Sequence, residues 1–177
     1  MNISFAHHKD GTGKTASCIN VAGWLMRNDK NVLLVDVDPK AHATAGLGID
    51  KITTGGSMYG VLIGDMCIRE IVLKTLSRVH SPSSKSTLIE MELYEVIYKK
   101  KSSTLLRKAL KAADLDHYYD YVLIDTTPDH KSVMVNALSA SDQVIVTLGP
   151  GIFALESLDI LWALFSELGW KGLLKNS

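Results

Sequence analysis

The chain has 177 residues, enough for one domain with a substantial core, and its 46% hydrophobic and 21% charged content are typical of globular proteins. The 19 basic and 19 acidic residues balance, so net charge favours neither a nucleic-acid nor a membrane partner. The two cysteines lack metal or redox spacing, no apolar run reaches the ~18 residues of a membrane span, and no signal-peptide pattern opens the chain, so we expect a cytoplasmic protein.

Predicted strands and helices alternate along the chain. In order, we predict a strand at 2–6, a helix at 14–28, a strand at 32–35, loop with short helical turns at 40–56, helices at 58–63 and 66–73, a loop at 81–86, helices at 87–98 and 104–113, a strand at 121–124, a helix at 133–139, a strand at 143–148 and a helix at 154–168. Short continuous apolar runs are typical of buried parallel strands. The alternation predicts an α/β fold, with a single open, mostly parallel twisted sheet, helices on both faces and one domain over residues 1–177.

A phosphate-binding loop is predicted at residues 9–15, which read Lys-Asp-Gly-Thr-Gly-Lys-Thr between the first strand and the first helix. Glycines let backbone N–H groups approach an anion closely, Lys14 can reach the β- and γ-phosphates, and the Thr15 hydroxyl can hold Mg²⁺. The positive end of the helix dipole points at the same place. The residues expected to contact the nucleotide are Lys9, Asp10, Gly11, Thr12, Gly13, Lys14, Thr15 and Ala16.

Three carboxylates follow predicted strands, at the edge of the sheet where ligands bind in such folds. Asp125 ends an apolar strand, where a phosphate-loop enzyme places a Mg²⁺ carboxylate, although an Asp there can also cap the next helix. Asp36 and Asp38 are two residues apart on an extended segment and are expected to point the same way. One could orient an attacking water and the other the metal shell, or both could belong to an Asp-rich turn.

Two further features have a structural and a functional interpretation. The most basic stretch comprises residues 99–101 with Arg107, Lys108 and Lys111, and a solvated helix face is favoured there over a contact with a phosphate backbone. His7 and His8 lie next to Asp10, but adjacent side chains on a strand point in opposite directions, which argues against a metal site.

With these motifs in place, the chain resembles the ParA/Soj branch of the deviant phosphate-loop ATPases, which also includes MinD and the nitrogenase iron protein. Residues 9–15 match the branch signature Lys-Gly-Gly-x-Gly-Lys-Thr, and 43–50 resemble ParA rather than MinD. Three other segments match elements of the family pattern: residues 32–39 match its second strand and switch I, residues 119–125 match its Walker B strand, and residues 153–156 match the helix after the next strand.

The resemblance implies an ATP/ADP- and Mg²⁺-dependent ATPase that forms a homodimer when ATP is bound. Lys9 would reach the partner's nucleotide, Asp38 would position the hydrolytic water with support from Asp36, and Thr15, Asp38 and Asp125 would handle the metal, with Lys14 at the phosphates. Family members typically bind DNA non-specifically and respond to a ParB-type centromere-binding protein, so the resemblance implies a role in plasmid or chromosome partitioning and, if the chain binds DNA, association with the nucleoid. We expect no membrane partner, because residues 173–177 are too short for an amphipathic membrane-binding helix.

The chain departs from the family pattern at several positions. Asp10 replaces the first glycine of the signature, residues 40–42 read Lys-Ala-His where Gln-Gly-Asn is usual, and Thr127 replaces a proline. A carboxylate about 5 Å from a phosphate charge costs on the order of 3 kcal/mol at an effective dielectric of 20. Compared with the family pattern, we also expect the C-terminal strands and helix to be missing after residue 177. These departures make a nucleotide-dependent binding module with little or no hydrolysis the main alternative. A membrane-linked MinD-type ATPase is less favoured because it needs a longer amphipathic C-terminal helix. An iron–sulfur reductase is also less favoured because it needs a cysteine near the Walker B strand.

Overall fold

The computed structural model describes residues 1–49, 58–74, 80–82, 102–128, 131–149 and 153–169. Six strands lie in these residues: β1 (Asn2–Ala6), β2 (Val32–Asp36), β3 (Val72–Lys74), β4 (His80–Pro82), β5 (Tyr121–Asp125) and β6 (Gln143–Val146). The helices described are α1 (Lys14–Arg27), α2 (His42–Gly46), α3 (Met58–Ile63), α4 (Leu105–Ala112), α5 (Lys131–Ser139) and α6 (Phe153–Glu167). The predicted helix at 87–98 and the lysines at 99–101 lie outside the described residues.

The strands form one sheet in the order β3-β4-β2-β5-β1-β6. Every neighbouring pair is parallel except β3 with β4, which is antiparallel. The register aligns Asp36 of β2 with Asp125 of β5, and Phe5 of β1 with the same Asp125. The predicted open, mostly parallel α/β sheet is therefore confirmed, and its three central strands end together at one edge.

Helices cover both faces of the sheet because neighbouring strand residues point to opposite sides. Leu34 and Leu123 pack with Cys18, Ala22 and Leu25 of α1 on one face. The other face is covered by α3, α4 and α5, with α6 packed beside α5 through Leu161, Leu164 and Phe165. Strands enclosed on both sides are apolar throughout, which is why β2 and β5 read as continuous hydrophobic runs.

A buried amide joins α4 to α5. Asn136 of α5 is 1% exposed, and its Oδ1 accepts hydrogen bonds from the backbone N–H groups of Leu105, at 2.8 Å, and Leu106, at 3.4 Å. Its Nδ2 donates to the carbonyls of Ser102, at 3.0 Å, and Ser132, at 3.1 Å. Because the first N–H groups of a helix have no partner within it, Asn136 caps α4 from a neighbouring helix.

Two sequence predictions are wrong at the β3–β4 edge. The segment predicted as a helix at 66–73 is a 3₁₀ turn, Ile68–Ile71, followed by β3, and Glu70 accepts a 2.6 Å hydrogen bond from the Cys67 N–H at the start of that turn. The predicted loop at 81–86 begins with strand residues, since His80–Pro82 forms β4. Pairing of β3 with β4, and of β4 with β2, provides hydrogen bonds that local sequence does not reveal.

Among the described helices, none has the length and apolar character needed to cross a bilayer.

Candidate functional site

The loop between β1 and α1 has the backbone geometry expected of a phosphate-binding loop. Gly11 and Gly13 have φ values of +70° and +84°, in the left-handed region that side chains with a Cβ rarely adopt. Gly13 immediately precedes α1, and its carbonyl accepts a 2.8 Å hydrogen bond from the N–H of Ser17. Asp10, which replaces a glycine of the family signature, is not among the described non-glycine residues with positive φ. The backbone therefore accommodates Asp10 without left-handed strain.

Lys14 lies at the first position of α1 with only 6% of its surface exposed. Its Nζ donates a 2.9 Å hydrogen bond to the carbonyl of Lys9 at the start of the loop. The ammonium group is thus held over the loop, close to the backbone that would enclose an anion. Lys9 itself is exposed, and its backbone N–H donates a 3.0 Å hydrogen bond to Nδ1 of His7.

Thr15 and Asp125 bring the loop and the end of β5 together. The Thr15 Oγ1 donates a 2.7 Å hydrogen bond to Oδ2 of Asp125. Asp125 is fully buried, and its other oxygen, Oδ1, has no hydrogen-bond partner among the described residues. Burial, followed by the nearby charges of Asp36 and Asp38, raises the pKa of Asp125 to about 7. A buried oxygen without a donor beside a threonine hydroxyl suits a hydrated Mg²⁺, which prefers oxygen ligands.

Protein side chains alone do not complete a metal shell at this place. Within the described residues, no group of three or more His, Cys, Asp or Glu side chains is arranged to hold a metal ion. Mg²⁺ commonly binds through one or two protein oxygens, with waters and substrate phosphates filling the remaining positions. The residues present therefore fit a Mg²⁺ ion that arrives with a polyphosphate.

Asp36 is enclosed by the segment that follows β2. Its Oδ2 accepts two hydrogen bonds from Thr44, one from the backbone N–H at 2.8 Å and one from Oγ1 at 2.7 Å. Its Oδ1 accepts a 3.1 Å hydrogen bond from the N–H of Asp38. Burial raises the pKa of Asp36 to about 6, and the hydrogen bonds from Thr44 oppose that shift. Asp36 thus fixes the start of α2, and sequence reasoning did not identify its partner Thr44.

Asp38 has different surroundings from Asp36. Its Oδ1 accepts a 2.9 Å hydrogen bond from the N–H of Lys40, and its Oδ2 lies 3.7 Å from Nδ1 of His42. Asp38 lines the pocket beside the loop, whereas Asp36 bonds to Thr44 in the interior. The sequence prediction that the two carboxylates point the same way assumed that both lie on one strand. Because β2 ends at Asp36, Asp38 lies beyond the strand, and the alternation of strand side chains does not determine its direction.

A pocket of about 510 Å³ lies against the loop. Its lining includes the predicted site residues Asp10, Gly11, Gly13, Lys14, Thr15, Ala16 and Asp38. Lys9, Thr12, Asp36 and Asp125 are not part of this lining, and the Thr12 hydroxyl lies 3.2 Å from Oγ1 of Thr147 instead. Clefts of about 630 and 900 Å³ lie elsewhere on the described surface, so cavity size alone does not identify the site.

His7 is a buried residue that forms a hydrogen bond with the backbone at the start of the phosphate loop. It is 1% exposed, and its Nδ1 accepts the hydrogen bond from Lys9. Its Nε2 is buried and has no hydrogen-bond partner in the part of the chain that the structure describes. Burial, followed by the charges of His8 and Lys14, lowers the pKa of His7, so the neutral ring is favoured. The His7 and His8 rings stack with centroids 5.2 Å apart. The expectation that they point in opposite directions is wrong because β1 ends at Ala6.

The described part of the basic stretch lies on the outer side of α4. Arg107, Lys108 and Lys111 are exposed, while Leu106 and Leu110 of the same helix are buried. This alternation is typical of an amphipathic helix packed on a core.

The chain is similar to known proteins over most of its length. A family profile described as an AAA domain matches residues 1–174. The chain is 34% identical over 162 residues to the sporulation initiation inhibitor protein Soj of Bacillus subtilis, covering 90% of this chain and 62% of Soj. It is 35% identical over 160 residues to the chromosome partitioning protein ParA of Caulobacter vibrioides, covering 88% of this chain and 58% of ParA. The chain thus spans about three fifths of the length of these curated relatives.

A solved structure gives the same fold. The cobyrinic acid a,c-diamide synthase of Mycobacterium smegmatis with bound ADP and magnesium superposes with a TM-score of 0.85 at 26% sequence identity. The match covers 96% of this chain and 68% of that enzyme, and the same enzyme is also known with an ATP analogue and magnesium.

Proposed function

Because this chain belongs to the ParA/Soj family of ATPases, we propose that it binds and hydrolyses Mg²⁺-ATP as a nucleotide-gated dimer that acts in plasmid or chromosome partitioning. The observation that carries the proposal is that the glycines of the loop, Lys14, Thr15 and Asp38 all line one pocket of about 510 Å³.

The loop and the start of α1 would hold the phosphates. Backbone N–H groups made accessible by Gly11 and Gly13, together with the positive end of the α1 dipole, favour an anion at this place. Lys14 is already held over the loop by its bond to the Lys9 carbonyl. A bound polyphosphate would offer this ammonium a stronger, charged acceptor than that carbonyl.

Thr15 and Asp125 would hold the metal, and Asp38 lines the pocket that Thr15 also lines. Mg²⁺ would supply charge neutralisation for the phosphate oxygens when bound. The unpartnered Oδ1 of Asp125 supports this assignment, because a buried acceptor without a donor is costly unless a ligand or water satisfies it.

Asp38 would orient the attacking water. It borders the pocket, and the Lys40 N–H donates to its Oδ1, so one carboxylate oxygen is fixed while the other faces His42. Asp36 would act through the backbone, since it binds the Asp38 N–H on one side and Thr44 on the other. Asp36 is therefore proposed as a positioning residue for Asp38.

The family also supports proposals about partners. The exposed Lys9 lies at the position from which a signature lysine would reach the nucleotide of a second copy in an ATP-bound homodimer. A ParB-type centromere-binding protein, non-specific DNA and a nucleoid-associated location follow from the same family membership.

A nucleotide-dependent binding module with little or no hydrolysis is the second candidate. Asp10 lines the pocket with 70% of its side chain exposed, and its negative charge opposes that of a bound phosphate. A module of this kind would be stabilised by ATP or ADP through mass action but would release no phosphate.

Phosphate release with Mg²⁺-ATP distinguishes the two candidates. We expect turnover in the unmodified protein, loss of turnover in Lys14→Ala and Asp38→Ala, and unchanged turnover in Lys30→Ala, since Lys30 is exposed beyond the far end of α1. Turnover that persists in both pocket variants would refute the assigned site. A nucleotide-induced rise in melting temperature without phosphate release would favour the binding module.

A further inference from the structure

Two departures from the family pattern lie close to each other beside the phosphate loop. Asp10 stands in the phosphate loop where the family signature has glycine, and Lys40 follows β2 where glutamine is usual. Lys40 Nζ lies 4.0 Å from Oδ2 of Asp10, with 39% and 70% of the two side chains exposed. The two unusual residues have opposite charges and form an ion pair, in which Asp10 lines the pocket and Lys40 lies next to it, outside the lining.

Lys40 is also tied to the proposed catalytic carboxylate. Its backbone N–H donates the 2.9 Å hydrogen bond to Oδ1 of Asp38, while its side chain crosses to the loop that carries Asp10. Asp10 and Asp38 both line the 510 Å³ pocket. The ammonium group of Lys40 therefore lies at the boundary between the loop and the segment that positions Asp38.

We propose that Lys40 exchanges partners when a nucleoside triphosphate binds: its ammonium group pairs with Asp10 in the empty site and with the terminal phosphate in the loaded site. The inference rests on the proposed function, because it concerns ligand control of the same pocket. Asp10 acts as an internal substitute for the phosphate charge, and the exchange couples the triphosphate to the backbone that holds Asp38.

Electrostatics favours this exchange over a fixed pair. A terminal phosphate carries more negative charge than one carboxylate and offers several acceptor oxygens, so it competes well for an ammonium group. The phosphate also repels Asp10 and weakens its interaction with Lys40 as the ligand enters. Since an exposed ion pair is weak, Asp10 can hold Lys40 in the empty site without trapping it there.

Exchange of Lys40 and a fixed Lys40–Asp10 pair predict opposite signs for the coupling free energy between the two residues in a double-mutant cycle of nucleotide binding. If Lys40 exchanges partners, the favourable free energy of its contact with the phosphate is partly offset by the loss of its contact with Asp10. Lys40→Gln then weakens AMPPNP binding more in the Asp10→Asn background, where there is no contact to lose, than in the unmodified protein. If Lys40 stays on Asp10 and screens it, Lys40→Gln weakens binding more when Asp10 is present. No coupling would mean that the two side chains act independently.

The test is calorimetric titration of AMPPNP with excess Mg²⁺ into the unmodified protein, Asp10→Asn, Lys40→Gln and the double variant. We expect Asp10→Asn to tighten AMPPNP binding, and the Lys40→Gln effect to be about two- to fivefold larger in the Asp10→Asn background, the size typical of an exposed ion pair. The Lys40→Gln effect should be smaller for ADP, which lacks the terminal phosphate.

Asp29→Asn and Lys30→Gln provide a matched control, since both are exposed beyond the far end of α1, roughly 20 Å along the helix from the loop. They should leave AMPPNP affinity unchanged. Circular dichroism melts verify folding, and Asp10→Ser with Lys40→Met repeat the cycle if a first variant unfolds. A coupling of zero or of the opposite sign overturns the exchange while leaving the proposed function intact. Failure of the unmodified protein and of all variants to bind AMPPNP overturns the proposed function itself.

Discussion

Thr15, at the start of α1, donates a 2.7 Å hydrogen bond from Oγ1 to Oδ2 of Asp125 at the end of β5. These residues are far apart in sequence, and the parallel pairing of β1 with β5 brings them together. Within the described residues, the other oxygen of Asp125, Oδ1, is buried and has no hydrogen-bond partner. The pair is therefore the structural basis for the proposed metal position.

Replacing Thr15 with valine should remove most of the Mg²⁺ dependence of nucleotide binding. The substitution keeps the shape of the side chain but deletes both the proposed metal ligand and the donor to Asp125. We expect the gain in AMPPNP affinity on adding Mg²⁺ to fall by about tenfold or more, as measured by calorimetry with Mg²⁺ and with EDTA. Thr12→Val is the matched control, because the Thr12 hydroxyl faces Thr147, and an equal loss in both variants would contradict the assignment.

The hydroxyl of Thr44 should contribute measurably to stability. Thr44→Val removes a 2.7 Å hydrogen bond to the buried carboxylate of Asp36 and should cost about 2 kcal/mol in the free energy of unfolding at pH 8. Thr44→Ser keeps the donor and should cost about 1 kcal/mol for the lost methyl group. Urea unfolding measures both changes.

The cost of Thr44→Val should also shrink in acid. Asp36 has a pKa of about 6, so at pH 5 its carboxyl is mostly neutral and depends less on donors. A cost for Thr44→Val that is equal at pH 5 and pH 8, or no larger than that of Thr44→Ser, would show that the hydroxyl does not stabilise an ionised Asp36.

The interhelical cap formed by Asn136 should be among the more sensitive positions in the fold. Asn136→Ala removes the amide that bonds two N–H groups of α4 and the carbonyls of Ser102 and Ser132, and it should lower the free energy of unfolding by about 3 kcal/mol. Asn20→Ala, at an exposed amide that bonds only within α1, should change it by less than about 0.5 kcal/mol. Similar small effects in urea unfolding of both variants would refute the capping role.

His7 should make the fold less stable as the pH falls. The folded-state pKa of His7 lies below its ordinary value of 6.5, so the unfolded chain binds a proton more readily below that pH. Stability is therefore complete above about pH 6.5 and is lost on acidification towards the folded pKa, with a slope of at most about 1.4 kcal/mol per pH unit.

The His7→Asn variant isolates this contribution from the buried carboxylates. Asp36 and Asp125 have raised pKa values, so they change stability with the opposite sign, becoming more favourable as the pH falls. Subtracting the urea-unfolding free energies of His7→Asn from those of the unmodified protein between pH 5.5 and 8 removes their common effect. Parallel pH profiles for the two proteins would mean that His7 does not titrate between the folded and unfolded states.

The sequence by itself determined the order of the main elements and the location of the loop. Continuous apolar runs fixed β2 and β5, because a strand enclosed on both faces has no polar side. Gly11 and Gly13 could be identified because a left-handed backbone excludes most other residues. Asp36 and Asp125 could be placed at one edge because parallel strands end together.

Tertiary structure decided the contacts between segments that are distant along the chain. Pairing with β2 and β3 made residues 81 and 82 part of a strand where local composition indicated a loop, and pairing of β3 with β4 replaced the end of a predicted helix. The bonds of Asp36 to Thr44 and of Asn136 to α4, and the pairing of Lys40 with Asp10, likewise depend on how separate elements pack. The periodicity of apolar residues indicates which face of a helix or strand is buried. The partner of a polar group depends instead on which distant segment the folded chain brings within hydrogen-bonding distance.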